Sequence, residues 1–174
     1  VSEDFRAHVR DETVRTFQTY KGMADKAVAQ ISDEAFFRAL DGESNSIAIV
    51  MKHVGGNLRS RWSDFLTSDG EKADRDRDGE FEAGQGTDRA SVIETWEDGW
   101  CVLLASLEAL SPADMERSVT IRREPHTVTR AIQRSLAHTA SHVGQIVMLA
   151  KHYAGDSWQT LSIPRGKSND PEWR

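Results

Sequence analysis

Apolar residues recur at intervals of three and four along four long stretches of the chain, and no stretch alternates persistently enough for a sizeable sheet. The first, residues 3–30, carries Phe5, Val9, Phe17, Tyr20, Ala24 and Val28 near helical spacing. Ser32 followed by Asp33 and Glu34 reads as the cap of a short helical turn through Leu40. The second stretch, 46–66, lines up Ile47, Val50, Met51, Val54, Leu58, Trp62 and Phe65. The third, 88–110, is capped by Thr87 and faced by Ile93, Trp96, Trp100, Leu103 and Leu107. The fourth runs over 128–153, from a cap at Thr127 to a stop at Gly155.

The segments between them are equally informative. Residues 67–86 are rich in Asp, Glu and Gly, which predicts a solvated loop long enough for a crossover between the second and third helices. Ser111-Pro112 restarts a short turn. Residues 118–122 alternate as a strand does and Pro125 closes them, so a small hairpin is expected before the fourth helix. The tail, 158–174, has no period, but Trp158 and Trp173 predict that it packs on the body. Long helices without intervening strands bury their stripes against one another. The expectation is an all-α, four-helix-bundle fold, one domain over 1–174, with no internal repeat or linker.

Composition narrows the function. With 38% hydrophobic and 29% charged residues the chain is expected to fold as a globular protein. A net charge of −6 without a basic stripe argues against nucleic acid as a partner. No apolar run approaches the ~18–20 residues of a membrane span. The first 20 residues lack a signal-peptide core, and a start at Val1 rather than Met leaves room for an upstream segment. One cysteine, Cys101, permits no internal disulfide. The expected address is the cytoplasm, and Cys101 is expected to pack in the core.

Candidate chemistry centres on histidine. His138 and His142 stand at i and i+4, which stacks two imidazoles on one helix face. Roughly one chain in five of this composition would contain such a pair by chance, so the pair alone is weak. Its helix also carries Leu136, Val143, Ile146, Val147 and Leu149, and imidazoles in apolar surroundings need satisfying. A metal ion would do this, and so would backbone carbonyls. His53 is the candidate third ligand. Gly55 and Gly56 follow it inside a helix at a cost of about 1–2 kcal/mol, which calls for close approach of another backbone or of a metal-bound ligand. A kink beside a lone core histidine is the alternative. Thr139 stands where a zinc protease carries its general-base Glu, which disfavours proteolysis by that route. Three imidazoles without a carboxylate suit Zn, Ni, Co or Cu better than Mg or Ca, and three protein ligands leave coordination positions open.

Other residues carry weaker signals. Asp74, Asp76, Asp78 and Gly79 begin like a calcium-binding loop with Phe81 in its apolar place, but Gln85 occupies the position that needs a bidentate Glu. Trp62, Trp96 and Trp100 read as core, His126 as a turn residue or a pocket residue, and His8 and His152 as exposed. Asn57 and Arg59 flank His53 and either reach a pocket or meet solvent.

His53 within Met51-Lys-His-Val-Gly-Gly-Asn57, the pair within His138-Thr-Ala-Ser-His142-Val-Gly-Gln-Ile146, and the helix order resemble the DinB-like superfamily, within it a branch of small uncharacterised bacterial proteins. The segments 75–82 and 158–165 resemble that branch too, so the likeness spans nearly the whole chain. It implies a four-helix bundle with a long crossover, commonly a homodimer, with three histidines around zinc or nickel. Some relatives are S-transferases or isomerases that use a low-molecular-weight thiol. Two readings follow: a metal-dependent thiol S-transferase or isomerase acting on a small molecule, or a non-catalytic dimeric scaffold or ligand-binding protein with a structural metal.

Overall fold

Each long helix begins where a short polar side chain accepts the backbone N–H three residues ahead, the N-cap arrangement that satisfies otherwise orphaned donors. Ser2 opens α1 (Glu3–Val28), Ser46 opens α3 (Ile47–Trp62), Asp88 opens α4 (Arg89–Ala109) and Thr127 opens α5 (Val128–Ala154). The short α2 (Asp33–Phe37) starts in the same way at Ser32. In this computed structural model residues 2–82 and 87–173 are described. The fold is mostly helical, with these five helices and one two-stranded sheet among the described residues. None of the helices is long and apolar enough to cross a membrane.

The four long helices pack pairwise, α3 against α4 and α5, and α1 against α5 and α4. Between them lies one core that includes Phe17, Met51, Leu58, Trp62, Trp96, Trp100, Leu103 and Ile146. The α3–α4 contact is the tightest. A Cβ on Gly55 would collide with the Thr95 carbonyl of α4, and a Cβ on Gly99 would collide with the backbone of Gly55. The glycine inside α3 is thus explained by close approach of a second backbone.

Several boundaries differ from those the pattern predicts. Asp88, not Thr87, caps α4. α3 ends at Trp62, four residues before the apolar pattern does, because Asp64 turns left-handed (φ 47°) and its carbonyl accepts the N–H groups of Thr67 and Ser68. Phe65 then folds back onto Trp62, ring centroids 4.4 Å apart, and stays buried without extending the helix. Phe5 is 56% exposed, one turn too early on α1 to reach the core. Cys101 is exposed rather than packed, since it follows the buried Trp100 by about 100° of helical rotation. The tail packs as expected at Trp158, and Gln30 and Gln159 exchange two hydrogen bonds that fasten it to the end of α1. The side chain of Trp173 lies outside the described residues.

The hairpin is present, β1 (Ser118–Ile121) antiparallel to β2 (Glu124–Thr127). Pro125 sits inside β2 opposite Thr120 rather than closing the hairpin, which a two-stranded sheet tolerates because every strand is an edge. The turn residues Arg122 and Arg123 both have positive φ (54° and 65°), a conformation that usually falls to Asn or Gly. The Asp69 carboxylate holds them there, accepting the N–H of Arg122 at 2.9 Å and of Arg123 at 2.7 Å. Next to it, Gly70 N–H donates to the Thr120 carbonyl. The loop after α3 is thereby tied to the hairpin before α5.

Two predictions follow from this packing. Gly99→Ala, normally stabilising inside a helix, is expected to cost about 1–3 kcal/mol in urea unfolding, because the new methyl meets rigid backbone. Burial alone would raise the Asp69 pKa, but its backbone hydrogen bonds from Glu71, Arg123 and Arg122 bring it below the ordinary value. Its stabilisation is therefore full above the unfolded carboxylate pKa and fades as pH falls through the lowered one. Asp69→Asn should be less stable than the parent at neutral pH by about 1–2 kcal/mol, with the gap narrowing below about pH 4 in denaturation curves.

Candidate metal centre

Helical spacing places His138 and His142 on one face of α5, and α3 presents His53 to them. His53 is 4% exposed and the other two are half-buried. The three side chains offer ligand atoms that all lie within 4.8 Å of one another, so they could hold a metal ion. His53 Nε2 is 3.2 Å from His138 Nε2, and His142 Nε2 is also 3.2 Å from it. Two nitrogens bound tetrahedrally at 2.0–2.1 Å would stand about 3.4 Å apart, so the spacing fits a common ion.

The outer nitrogens fix the tautomers. His53 Nδ1–H donates to Glu80 Oε2 at 2.8 Å, and His142 Nδ1–H donates to Gln145 Oε1 at 2.9 Å. In its neutral form each ring thus turns an unprotonated Nε2 lone pair toward His138. The His138 Nε2 can carry at most one hydrogen and so can satisfy only one of the two. Its own Nδ1 is buried and has no hydrogen-bond partner among the described residues. Converging lone pairs of this kind are relieved by a cation. Protonation is a poor substitute, because burial followed by the neighbouring His142 and His53 pushes the His138 pKa down to about 4. Burial likewise lowers His142 against the opposing hydrogen bond from Gln145.

Glu80 was not singled out by the sequence, and it orients the most buried ligand candidate. It belongs to the acidic segment expected to be solvated, yet it is only 6% exposed. Lys52 of α3 binds the carbonyls of Gly79 and Glu82 and draws this segment down. Phe81 lies against the His53 ring, centroids 4.7 Å apart. The Glu80 carboxylate occupies the space a Cβ on Gly56 would fill, which accounts for the second helical glycine. Arg75 grips it in a two-pronged pair, Nε to Oε1 and Nη2 to Oε2, both 2.7 Å. Burial alone would raise the Glu80 pKa, but the bonds from His53 and Arg75 bring it below the ordinary value. The carboxylate stays charged, and carboxylate–histidine pairs of this kind orient metal-ligating rings in metalloproteins. The available signal was Gly56, whose missing side chain implied a close neighbour.

The other candidates fall elsewhere. Asp74, Asp76 and Asp78 are exposed and join no ligand cluster among the described residues, and Gln85 lies outside them. His126 is buried in β2 with Nδ1–H donating to the Glu124 carbonyl, so it is neither a turn residue nor part of the cluster. His8 and His152 are exposed, and Trp62, Trp96 and Trp100 are core, all as expected. Arg59 points to solvent and pairs with Asp98, whereas Asn57 lines the cavity beside His53 and His138.

Fold and site together define a mostly helical protein with a three-histidine cluster able to hold a metal ion. The chain belongs to the family described as protein of unknown function (DUF1572), whose model matches residues 4–167. No curated protein and no solved structure matches it.

Arg75→Ala would leave the Glu80 carboxylate buried without its countercharge. We expect a loss of about 3–5 kcal/mol in chemical denaturation, more than any exposed arginine on the same segment would cost.

Proposed function

We propose that this chain is a metalloprotein in which His53, His138 and His142 bind one divalent transition metal, zinc or nickel, through Nε2. The observation that carries the reading is the convergence of lone pairs: two rings whose outer N–H groups are committed to Glu80 and Gln145 aim bare nitrogens at a third. Imidazole donors select this class of ion over magnesium or calcium. No fourth His, Cys, Asp or Glu joins the cluster among the described residues, so coordination positions are left for water or substrate. Structural zinc sites are instead usually closed by four protein ligands. The function is therefore catalysis on a small molecule. When bound, such an ion supplies a Lewis acid that lowers the pKa of a coordinated water or thiol. Around it, Glu80 and Arg75 fix the tautomer and direction of His53, Gln145 does the same for His142, and α3 and α5 set the spacing.

Thiol S-transfer or isomerisation with a low-molecular-weight thiol is the reaction class that the DinB-like resemblance implies. The same resemblance supports a four-helix bundle formed by α1, α3, α4 and α5 as one domain, with the crossover between α3 and α4. It also supports a homodimer, and the low cysteine content supports a cytoplasmic address.

Protein prepared without nickel resin should contain close to one equivalent of zinc or nickel per chain by elemental analysis. His142→Ala should keep the parent helical circular dichroism yet hold at least tenfold less metal. Chelation should lower the melting temperature without abolishing the fold, since metal bound only to the native state stabilises it by mass action. Protein that carries no metal and takes none up on soaking would overturn the reading. Unfolding of His142→Ala would move the metal to a structural role.

A further inference from the structure

A cavity of about 200 Å³ opens beside the histidine cluster, with His53 and His138 on its wall. Four arginines also line it, Arg61 from α3, Arg77 from the acidic segment, Arg122 from the hairpin turn and Arg134 from α5; its other lining residues are uncharged, and no carboxylate among the described residues lines it. This concentration of positive charge stands out in a chain of net charge −6.

The nearby acids do not neutralise it. Glu71 is shared, accepting from Arg75 Nη1 at 3.1 Å and Arg122 Nε at 3.0 Å, and it stands 3.7 Å from Arg61 Nη2. Glu80 is taken up by Arg75 and His53. Arg61 is left the least satisfied. Its side chain is 8% exposed, and its Nη1 is buried with no hydrogen-bond partner among the described residues. A buried guanidinium with an orphaned donor and only a long pair to a shared carboxylate is costly, and a ligand oxyanion would complete it. Arg134, whose Nη1 lies 3.4 Å from His126 Nε2, has no carboxylate partner among the described residues.

We infer that this cavity is the substrate's anion site: Arg61 and Arg134, helped by Arg77 and Arg122, bind the carboxylate or phosphate of a small molecule whose reacting end faces His53 and His138. Planar guanidinium forks match either oxyanion in a two-pronged fashion, and several arginines on one cavity favour a ligand of charge −1 to −2. The inference names the substrate class for the proposed metal centre and rests on that reading only for what the other end of the molecule does. Anion binding itself needs no metal.

Titration calorimetry at low ionic strength, on chelator-treated and on zinc-loaded protein, tests it with two probes, inorganic phosphate and malonate. Saturable binding of at least one is expected in both forms, and the preferred probe tells a phosphate site from a carboxylate site. Arg61→Met and Arg134→Ala should each weaken it at least tenfold, while Arg130→Ala, on α5 outside the cavity, should leave it within twofold. Arg61→Met should melt no lower than the parent, because it removes a buried charge whose Nη1 has no hydrogen-bond partner among the described residues and whose pair to the shared Glu71 is long; a residue that served packing alone would lower the melting point. Arg134 is exposed, so its variant keeps the test decisive if Arg61→Met fails to fold. Absence of saturable binding, or equal losses in Arg130→Ala and Arg134→Ala, would overturn the inference. Anion binding in a protein that takes up no metal would leave this site standing and remove the metal centre alone.

Discussion

A single carboxylate, that of Glu80, links the three parts on which the site depends. Arg75 holds it from within its own segment, His53 donates to it from α3, and the bare Cα of Gly56 makes room for it. Without that acceptor the His53 ring could rotate or exchange tautomer, and its Nε2 lone pair would lose its direction. The same interaction pulls the acidic segment out of solvent and onto the helix, so the wall of the neighbouring cavity is assembled by the bonds that orient the ring.

The two glycines of α3 separate two demands. Gly55 serves the fold, admitting the backbone of α4 at Thr95 and Gly99, whereas Gly56 serves the site by admitting a side chain. One turn of helix, from His53 to Gly56, therefore faces a ligand cluster, a second helix and a buried ion pair at once. That leaves the turn little tolerance for larger side chains, and it explains why two residues of poor helix propensity stand side by side in a helix that is otherwise well capped and well packed.

Charge is distributed with the same economy. The chain is acidic overall, yet arginines from four separate segments converge beside the histidines. Asp69 is what makes one of them possible, since it holds Arg122 and Arg123 in a left-handed turn that their side chains would otherwise disfavour. The hairpin thus serves as a mount for a cavity-lining arginine as well as a lead into α5.

Periodicity and caps were enough to read the four long helices, the hairpin and the spacing of His138 and His142, because each depends on residues a few positions apart. The candidacy of His53 followed from its glycines. The meeting of His53 with the α5 pair joins positions 85 residues apart, which the bottom-up pattern left open and the family likeness anticipated. Only the tertiary structure decided the fate of the segment 67–82. Its composition is that of a solvated loop, and composition cannot reveal that Arg75 and Glu80 neutralise each other and so can be buried as a pair. Exposure of Cys101 and the early end of α3 were hidden for a related reason: one turned on about 100° of helical phase, the other on a single left-handed residue at Asp64. Local pattern determined which elements form, and long-range pairing of opposite charges determined which polar residues they enclose.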